Sequence, residues 1–378
     1  MIYLDNAATS WPKPTKVMDS IQDCMLNYCA NPGRSGHEMA LKSENTVYNC
    51  RCKIAELFGV KKEENVIFTH NATHALNIVI KGLLTNKSHA VVTSMEHNSV
   101  LRPLSVTGAM YDVVMADKYG YVDEKDFEDF IKPNTSLIIC TLSSNVCGSV
   151  QPFEKIAKIA KKHNIPFLLD ASQGAGSIDI DMTRQGIDFL ACPGHKGLLG
   201  PTGTGVLCIN CDAELKTFIE GGTGSLSKLV TQPFTLPDRF ESGTLNVAGI
   251  AGLDAALEYI VRRTPKSILH HENKLCKYLA DNIMSMRGVR LVGYNPSRRR
   301  TAVLSVVLEN TDSLVASAML NIDYSIAVRA GFHCAYTAHS TLQTHKTGTI
   351  RFSPGPFTTK KDMEKVTDAI YCISLQNQ

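Results

Sequence analysis

Short apolar runs alternate with amphipathic segments through the first half of the chain. NVIFT (65–69) precedes HALNIVIKGLL (74–84), HAVVTSM (89–95) precedes SVLRPL (99–104), and SLIICTL (136–142) precedes FEKIAKIAKKH (153–163). IPFLLD (165–170) is followed by a further strand-like run, IDFLAC (187–192). Strands this apolar have no polar face to leave in water, so they pair largely in parallel beneath helices on both sides. Such a sheet takes its ligands beyond the carboxyl ends of its strands. The expected fold class is therefore α/β, with a large, mixed, mostly parallel sheet.

The second half has a different pattern. A loop-rich stretch, GGTGSLSKLVTQPFTLPDRFESGT (221–244), leads into IAGLDAALEYIVRR (250–263) and HHENKLCKYLADNIM (270–284), both helical in period. The strand-like TAVLSVVLE (301–309) and the helical DMEKVTDAIYCIS (362–374) complete it. This predicts a large α/β domain over 16–250 and a smaller α+β domain made of 1–15 and 251–378. The SRRR run at 297–300 reads as a solvated turn before a strand.

Composition narrows the partners. At 378 residues and 44% hydrophobic the chain can bury a core large enough for two domains. Lys plus Arg (39) nearly balances Asp plus Glu (36), so a net charge of +3 gathers neither nucleic acid nor an anionic membrane, and a small molecule is the expected partner. MIYLDNAATSWPKP lacks the basic and apolar regions of a signal peptide, and no apolar run approaches the roughly 18 residues of a membrane span, so the expected location is cytoplasmic. Twelve scattered cysteines then read as reduced thiols. VLCINC holds the CxxC pair Cys208 and Cys211 without a second such pair, so no metal site is expected. Cys24, Cys50, Cys52, Cys140, Cys147, Cys192, Cys276 and Cys372 read as packing residues.

The sheet locates the polar groups that matter. Asp170 ends an apolar strand at the ligand edge, with Gln173 just after it in DASQGAG. Lys196 lies 26 positions beyond Asp170 in ACPGHKGLLGPTGTG, a stretch of bare backbone that lets a ligand approach closely. A lysine and an aspartate meeting there suit pyridoxal phosphate: the amine forms a Schiff base, and the carboxylate keeps the pyridine nitrogen protonated. By spacing alone the pair reads equally as an ordinary strand-end aspartate and a surface lysine. VIFTHNATHALN supplies a helix start at Ala72 and Thr73, suited to a phosphate or to simple capping. His97 in SMEHNSV and Asn145 in LSSNVCG occupy two further strand ends, His97 as a ring-stacking or proton-moving group or as a surface histidine.

Taken in order, YLDNAATS, THNATHALN, MEHNSV, SSNVCG, LDASQGAG, GHKGLLGPTGTG, RFESGTLN and RAGFHCA resemble the motifs of cysteine desulfurases of the class V aminotransferase superfamily. The likeness spans nearly the whole chain. The framing RAGFHCA and the 17-position step from Cys334 to Arg351 are similar to the group II branch. The resemblance implies a PLP-dependent transferase fold with pyridoxal 5'-phosphate on Lys196, Asp170 at the ring nitrogen, Gln173 at the ring hydroxyl and His97 stacked on the ring. It implies phosphate contacts from Ala72, Thr73 and His195, and from Thr244 of a second subunit, hence a homodimer. Asn145, Arg329 and Arg351 would face the substrate carboxylate, Cys334 would be the nucleophile that takes sulfur from L-cysteine, and a sulfur-acceptor protein would follow. Selenocysteine lyase, another PLP lyase or transaminase, and a non-catalytic scaffold of a sulfur-transfer system are the alternatives. Two positions depart from the family: Pro193 stands where many relatives carry a hydroxyl, and the proline usual after HCA is absent.

Overall fold

The computed structural model describes residues 1–33 and 36–376, so Arg34, Ser35 and the last two residues of the expected domains lie outside the described residues. Among the described residues thirteen strands form three sheets. In chain order they are β1 (Ile2–Tyr3), β2 (Val66–Thr69), β3 (His89–Thr93), β4 (Met110–Val114), β5 (Thr135–Thr141), β6 (Phe167–Asp170) and β7 (Phe189–Pro193). Then come β8 (Gly205–Ile209), β9 (Val289–Val292), β10 (Leu304–Leu308), β11 (Ile326–Ala327), β12 (Arg329–Gly331) and β13 (Thr349–Phe352).

The large sheet runs β2-β8-β7-β6-β5-β3-β4. β4, β3, β5, β6 and β7 are parallel neighbours, and β8 alone runs against its partners β7 and β2. The expected mixed, mostly parallel sheet is therefore present. Its inner strands are buried on both faces because successive side chains serve different cores, while the edge strand β4 is largely exposed. Ile138, Cys140 and Leu169 pack under the helices Thr15–Asn27, Glu38–Phe58, Phe153–Lys162 and Val247–Arg263. Leu137, Ile139 and Leu168 pack under Ala72–Leu83 and Asn98–Thr107. Phe153–Lys162 shows how its sequence selects a face: Phe153, Ile156, Ala157 and Ala160 form one buried stripe, and Lys161 and Lys162 close its last turn.

The antiparallel sheet β12-β13-β10-β9 carries a third apolar cluster against helices Pro265–Ile283, Ser313–Tyr324 and Lys360–Gln376. The N-terminal segment is tied to it, since β1 pairs in parallel with β11 and Asp5 bridges to Ser353. No helix among the described residues is long and apolar enough to cross a membrane.

The arginine run departs from the expected solvated turn. Arg298 pairs with Asp117 at 2.6 Å and lies over the Tyr121 ring, and Arg299 pairs with Glu154 at 2.8 Å. Arg300 is buried, donating to the carbonyls of Val303 (2.6 Å) and Cys147 (3.2 Å). Acidic and carbonyl partners reached from elsewhere in the fold, invisible in local composition, turn these charges into ties between the two sheets' surroundings.

Candidate active site

The carboxyl ends of β2, β3, β5, β6 and β7 carry Ala72 and Thr73, His97, Asn145, Asp170 and Lys196 in their following segments. Five chain segments far apart in sequence thus converge on one edge, because parallel strands present all their carboxyl ends together.

Asp170 is 2% exposed, and its Oδ1 accepts from the Ser172 N–H at 2.9 Å. Oδ2 has no protein donor among the described residues. The Lys196 amine has no hydrogen-bond partner among the described residues, and its enclosure, with help from the Arg351 charge, holds it down at about 8. Its backbone is clamped. The carbonyl of His195 accepts from Ser10 N–H (2.9 Å), Ser10 Oγ (3.1 Å), Thr9 Oγ1 (3.2 Å) and Lys13 Nζ (3.0 Å). Two glycines around the lysine are required by close approach. A Cβ on Gly197 would collide with the Ala175 carbonyl, and one on Gly194 with Thr204 Oγ1.

His97 caps the helix Asn98–Thr107: its Nδ1 accepts from the Ser99 N–H at 3.0 Å and lies 2.9 Å from Ser99 Oγ. Since an N–H can only donate, Nδ1 carries the lone pair and Nε2 the proton. Burial, opposed by the Asp170 charge and aided by those of Lys196, Arg329 and Arg102, lowers His97 to about 4, so the ring is neutral at physiological pH. Ser99 Oγ is also 2.8 Å from Thr73 Oγ1, which links the ring to the neighbouring helix start.

At that helix start Asn71 caps the His74 N–H at 2.9 Å, leaving the N–H groups of Ala72 and Thr73 without a protein acceptor among the described residues. His195 Nδ1 is buried and unpartnered, and burial holds its ring neutral, at about 4. Free helix N–H groups, an orphaned imidazole nitrogen, an unpartnered lysine amine and an open carboxylate oxygen fit the phosphate, aldehyde and pyridine nitrogen of pyridoxal phosphate. Pro193, in register with Gly205 at the end of β7, contributes no donor there.

Arg329 and Arg351 stand opposite each other on β12 and β13. Arg351 is 1% exposed; it donates to Asp5 Oδ1 at 2.7 Å and to the Asn145 carbonyl at 3.1 Å, and its Nε is unpartnered. Two cross-strand guanidiniums, of which only Arg351 is bonded to a carboxylate, make a site for a further anion. Cys334 is exposed, with Sγ 3.8 Å from Arg329 Nη2. His333 and Cys334 both adopt left-handed backbone (φ 49° and 57°), a conformation costing about 1 kcal/mol or more per residue that its surroundings must hold. Asn145 Nδ2 donates to the His333 carbonyl (2.7 Å) and the Asn98 N–H to the Cys334 carbonyl (2.8 Å). His333 Nε2 meets Thr349 Oγ1 at 2.9 Å.

Some expected roles thus look different in place. The Asn145 side chain is engaged with the cysteine loop, and Gln173 Nε2 donates to the Ala7 carbonyl at 2.8 Å, leaving its second N–H for a ligand. Burial holds His333 far below its ordinary value, so it is no cation beside Cys334. Thr244 is exposed, apart from these groups, on the stretch before Val247–Arg263. Cys372 is exposed, against its expected packing role.

Asp5, Lys13, Glu96 and Ser99 were not among the residues expected from sequence. Glu96 is fully buried, with Oε1 accepting from Thr93 Oγ1 (2.6 Å) and the Thr141 N–H (2.9 Å) and Oε2 unpartnered. Burial, and secondarily Asp170, lifts it to about 8, so it stays protonated at neutral pH. Its signal was an acid directly beside His97 at an apolar strand end.

The chain belongs to the aminotransferase class-V family, whose model matches residues 2–366. It is 34% identical over 379 residues to a probable cysteine desulfurase of Methanothermobacter thermautotrophicus, covering 98% of this chain and 94% of that protein. A probable cysteine desulfurase of Borreliella burgdorferi is 31% identical, with 96% and 89% covered. Among solved structures, the apo cysteine desulfurase of Thermococcus onnurineus superposes with a TM-score of 0.91 at 30% identity, covering 99% and 95% of the two chains. The cysteine desulfurase CsdA of Escherichia coli, in an S-sulfonic acid form, superposes with a TM-score of 0.87 at 26% identity, covering 99% and 94%.

Proposed function

We propose that this protein is a pyridoxal-phosphate-dependent cysteine desulfurase that converts L-cysteine to L-alanine and retains the sulfur on Cys334 as a persulfide. The observation that carries this is the Cys334 loop: an exposed thiol in a strained backbone, pinned by Asn145 and Asn98 beside the edge that holds Lys196 and Asp170.

The bound cofactor would supply an electron sink for charge developing at the substrate α-carbon. Lys196 would hold it, Asp170 would take its ring nitrogen, and Gln173 its hydroxyl through the free amide N–H. The N–H groups of Ala72 and Thr73, with His195, would cradle the phosphate, joined by Thr244 of a second subunit in a homodimer. The exposed side chains of Ile219, Leu226, Leu229, Val230 and Phe234, near Thr244 in sequence, support such an assembly.

The remaining work falls to side chains. Arg351, with Arg329 across the strand pair, binds the substrate carboxylate and orients the cysteine. The Lys196 amine, lowered to about 8 and so deprotonated in part near physiological pH, takes the α-proton and returns it. His97 stacks on the ring and offers its Nε2–H to the departing sulfur. The Cys334 thiolate, with the Arg329 guanidinium as its neighbouring positive charge, attacks that sulfur: the substrate carbon–sulfur bond breaks and a sulfur–sulfur bond forms, with no external oxidant. An acceptor protein or thiol then removes the sulfur. The near-balanced charge and twelve unpaired cysteines support a cytoplasmic location.

The test is incubation of the purified holoenzyme with L-cysteine, following alanine and protein persulfide together. Stoichiometric alanine and persulfide are expected; pyruvate or amino-group transfer without persulfide would contradict this function.

A further inference from the structure

β3 and β5 separate before they reach the ligand edge. They pair in register only as far as Val91 opposite Ile138, whereas β5 stays beside β6 to Thr141 opposite Asp170. The Leu142 N–H donates to the Asp170 carbonyl at 2.8 Å, so the Thr141 N–H, one residue back in an extended strand, points to the other side, where β3 has turned away. A buried N–H left there without an acceptor would be costly.

Glu96 supplies the acceptor. From the turn after β3 its Oε1 takes the Thr141 N–H at 2.9 Å and the Thr93 hydroxyl at 2.6 Å, so one carboxyl oxygen bridges the separated strand ends. The side chain is fully buried, no cation pairs with it among the described residues, and Oε2 is unpartnered. A buried carboxylate without a countercharge is unfavourable. Burial lifts Glu96 to about 8 against its two hydrogen bonds, and the Asp170 charge adds to the lift, which holds it chiefly as the acid at neutral pH. Because Oε1 accepts two hydrogen bonds, the proton belongs on Oε2.

The segment that Glu96 anchors leads straight into the site. His97, next in sequence, caps the helix Asn98–Thr107, and the Asn98 N–H donates to the Cys334 carbonyl at 2.8 Å. Consecutive residues thus connect the strand pair that carries Asp170, the imidazole beside the cofactor edge and the loop of the exposed thiol.

We propose that Glu96, as a neutral carboxylic acid standing in for the missing strand at Thr141, is the positioning residue that fixes His97 and the Cys334 loop relative to Asp170. It touches neither substrate nor cofactor and acts through His97 and Asn98. The inference rests on the cofactor and nucleophile roles proposed above.

Three variants of the holoenzyme test it. Glu96→Gln keeps the accepting oxygen and the neutral charge, and should hold kcat with L-cysteine within about twofold of the parent. Glu96→Ala removes the bridge, and Glu96→Asp is one methylene too short to span it. Each should lower kcat and single-turnover persulfide formation on Cys334 about a hundredfold, the effect of about 1 Å of misplacement, with KM within about twofold because Arg329 and Arg351 are untouched. The visible circular dichroism of the bound cofactor, which reports the packing around its ring, should fall in the Ala and Asp variants and be kept in the Gln variant. A Gln variant as slow as Ala, Ala and Asp variants as fast as the parent, or a raised KM with kcat kept would each overturn the proposal. Should the Ala and Asp variants fail to fold, the infrared difference between parent and Gln decides: a carboxylic acid band at neutral pH that the substitution removes supports the proposal, and no such band overturns it. A parent that forms no persulfide on Cys334 overturns the functional reading and this inference with it, whereas a parent that forms it no faster than Glu96→Ala overturns this inference alone.

Discussion

Asp5 holds the buried guanidinium of Arg351 at 2.7 Å across 346 positions of sequence. The pair joins the N-terminal segment to β13 and leaves Arg351 Nε unpartnered and facing no other protein acceptor among the described residues. Asp5 thereby fixes one side of the fork and leaves the rest for a substrate carboxylate.

Asp5→Asn should therefore strand a buried positive charge, lowering stability by about 3 kcal/mol. It should also raise KM for L-cysteine about tenfold, the equivalent of one lost charge-assisted hydrogen bond, with a smaller change in kcat. Denaturant melts and steady-state kinetics test both. Unchanged KM in a folded variant would show that Asp5 does not orient Arg351 for substrate.

Lys196 gives a pH-dependent prediction for the apoprotein. Its amine titrates at about 8 in the fold and at its ordinary value, 10.5, in the unfolded chain. Between those values the unfolded chain holds the extra proton, so apoprotein stability should rise as pH increases through that window. Lys196→Met should abolish the rise and be more stable than the parent at neutral pH by up to about 3 kcal/mol. The same substitution should prevent borohydride from fixing any cofactor to the chain. Parallel pH–stability curves for the two proteins would contradict the burial of this amine.

The strand-end residues were legible because each follows an apolar run that has one possible environment. The rule that parallel strands share a ligand edge gave the place of Asp170 after IPFLLD and Lys196 after IDFLAC, though not their role, which spacing alone left open. The pairing of Arg329 with Arg351 was not legible, since it depends on antiparallel register between two short strands, and neither was Asp5, whose partner lies at the far end of the chain. The place of Asn145 beyond a strand end was legible, but its hydrogen bond to the His333 carbonyl was not, because no local pattern announces a loop that docks by its backbone.

Thr244 tests the assembly. It is exposed on a stretch flanked by exposed apolar residues, with no partner at the cofactor edge of its own chain. Sedimentation should give a dimer at assay concentration, and Thr244→Ala should weaken cofactor retention about tenfold without dissociating it, the effect of one lost phosphate hydrogen bond. A fully active monomer would remove the shared site.

In the proposed function sulfur leaves L-cysteine for Cys334. The direct measurement is single-turnover alanine release from parent and Cys334→Ser holoenzymes, with mass analysis of the Cys334 peptide from the parent. The structure holds this thiol exposed, 3.8 Å from Arg329 and fixed by backbone bonds, so its replacement by serine should leave cofactor content and fold intact. The parent should release alanine while gaining one sulfur on Cys334, and the variant should bind cysteine yet release alanine at least about a hundredfold more slowly. Alanine release from Cys334→Ser at the parent rate, or a first added sulfur on any other residue of the parent, would rule out Cys334 as the nucleophile.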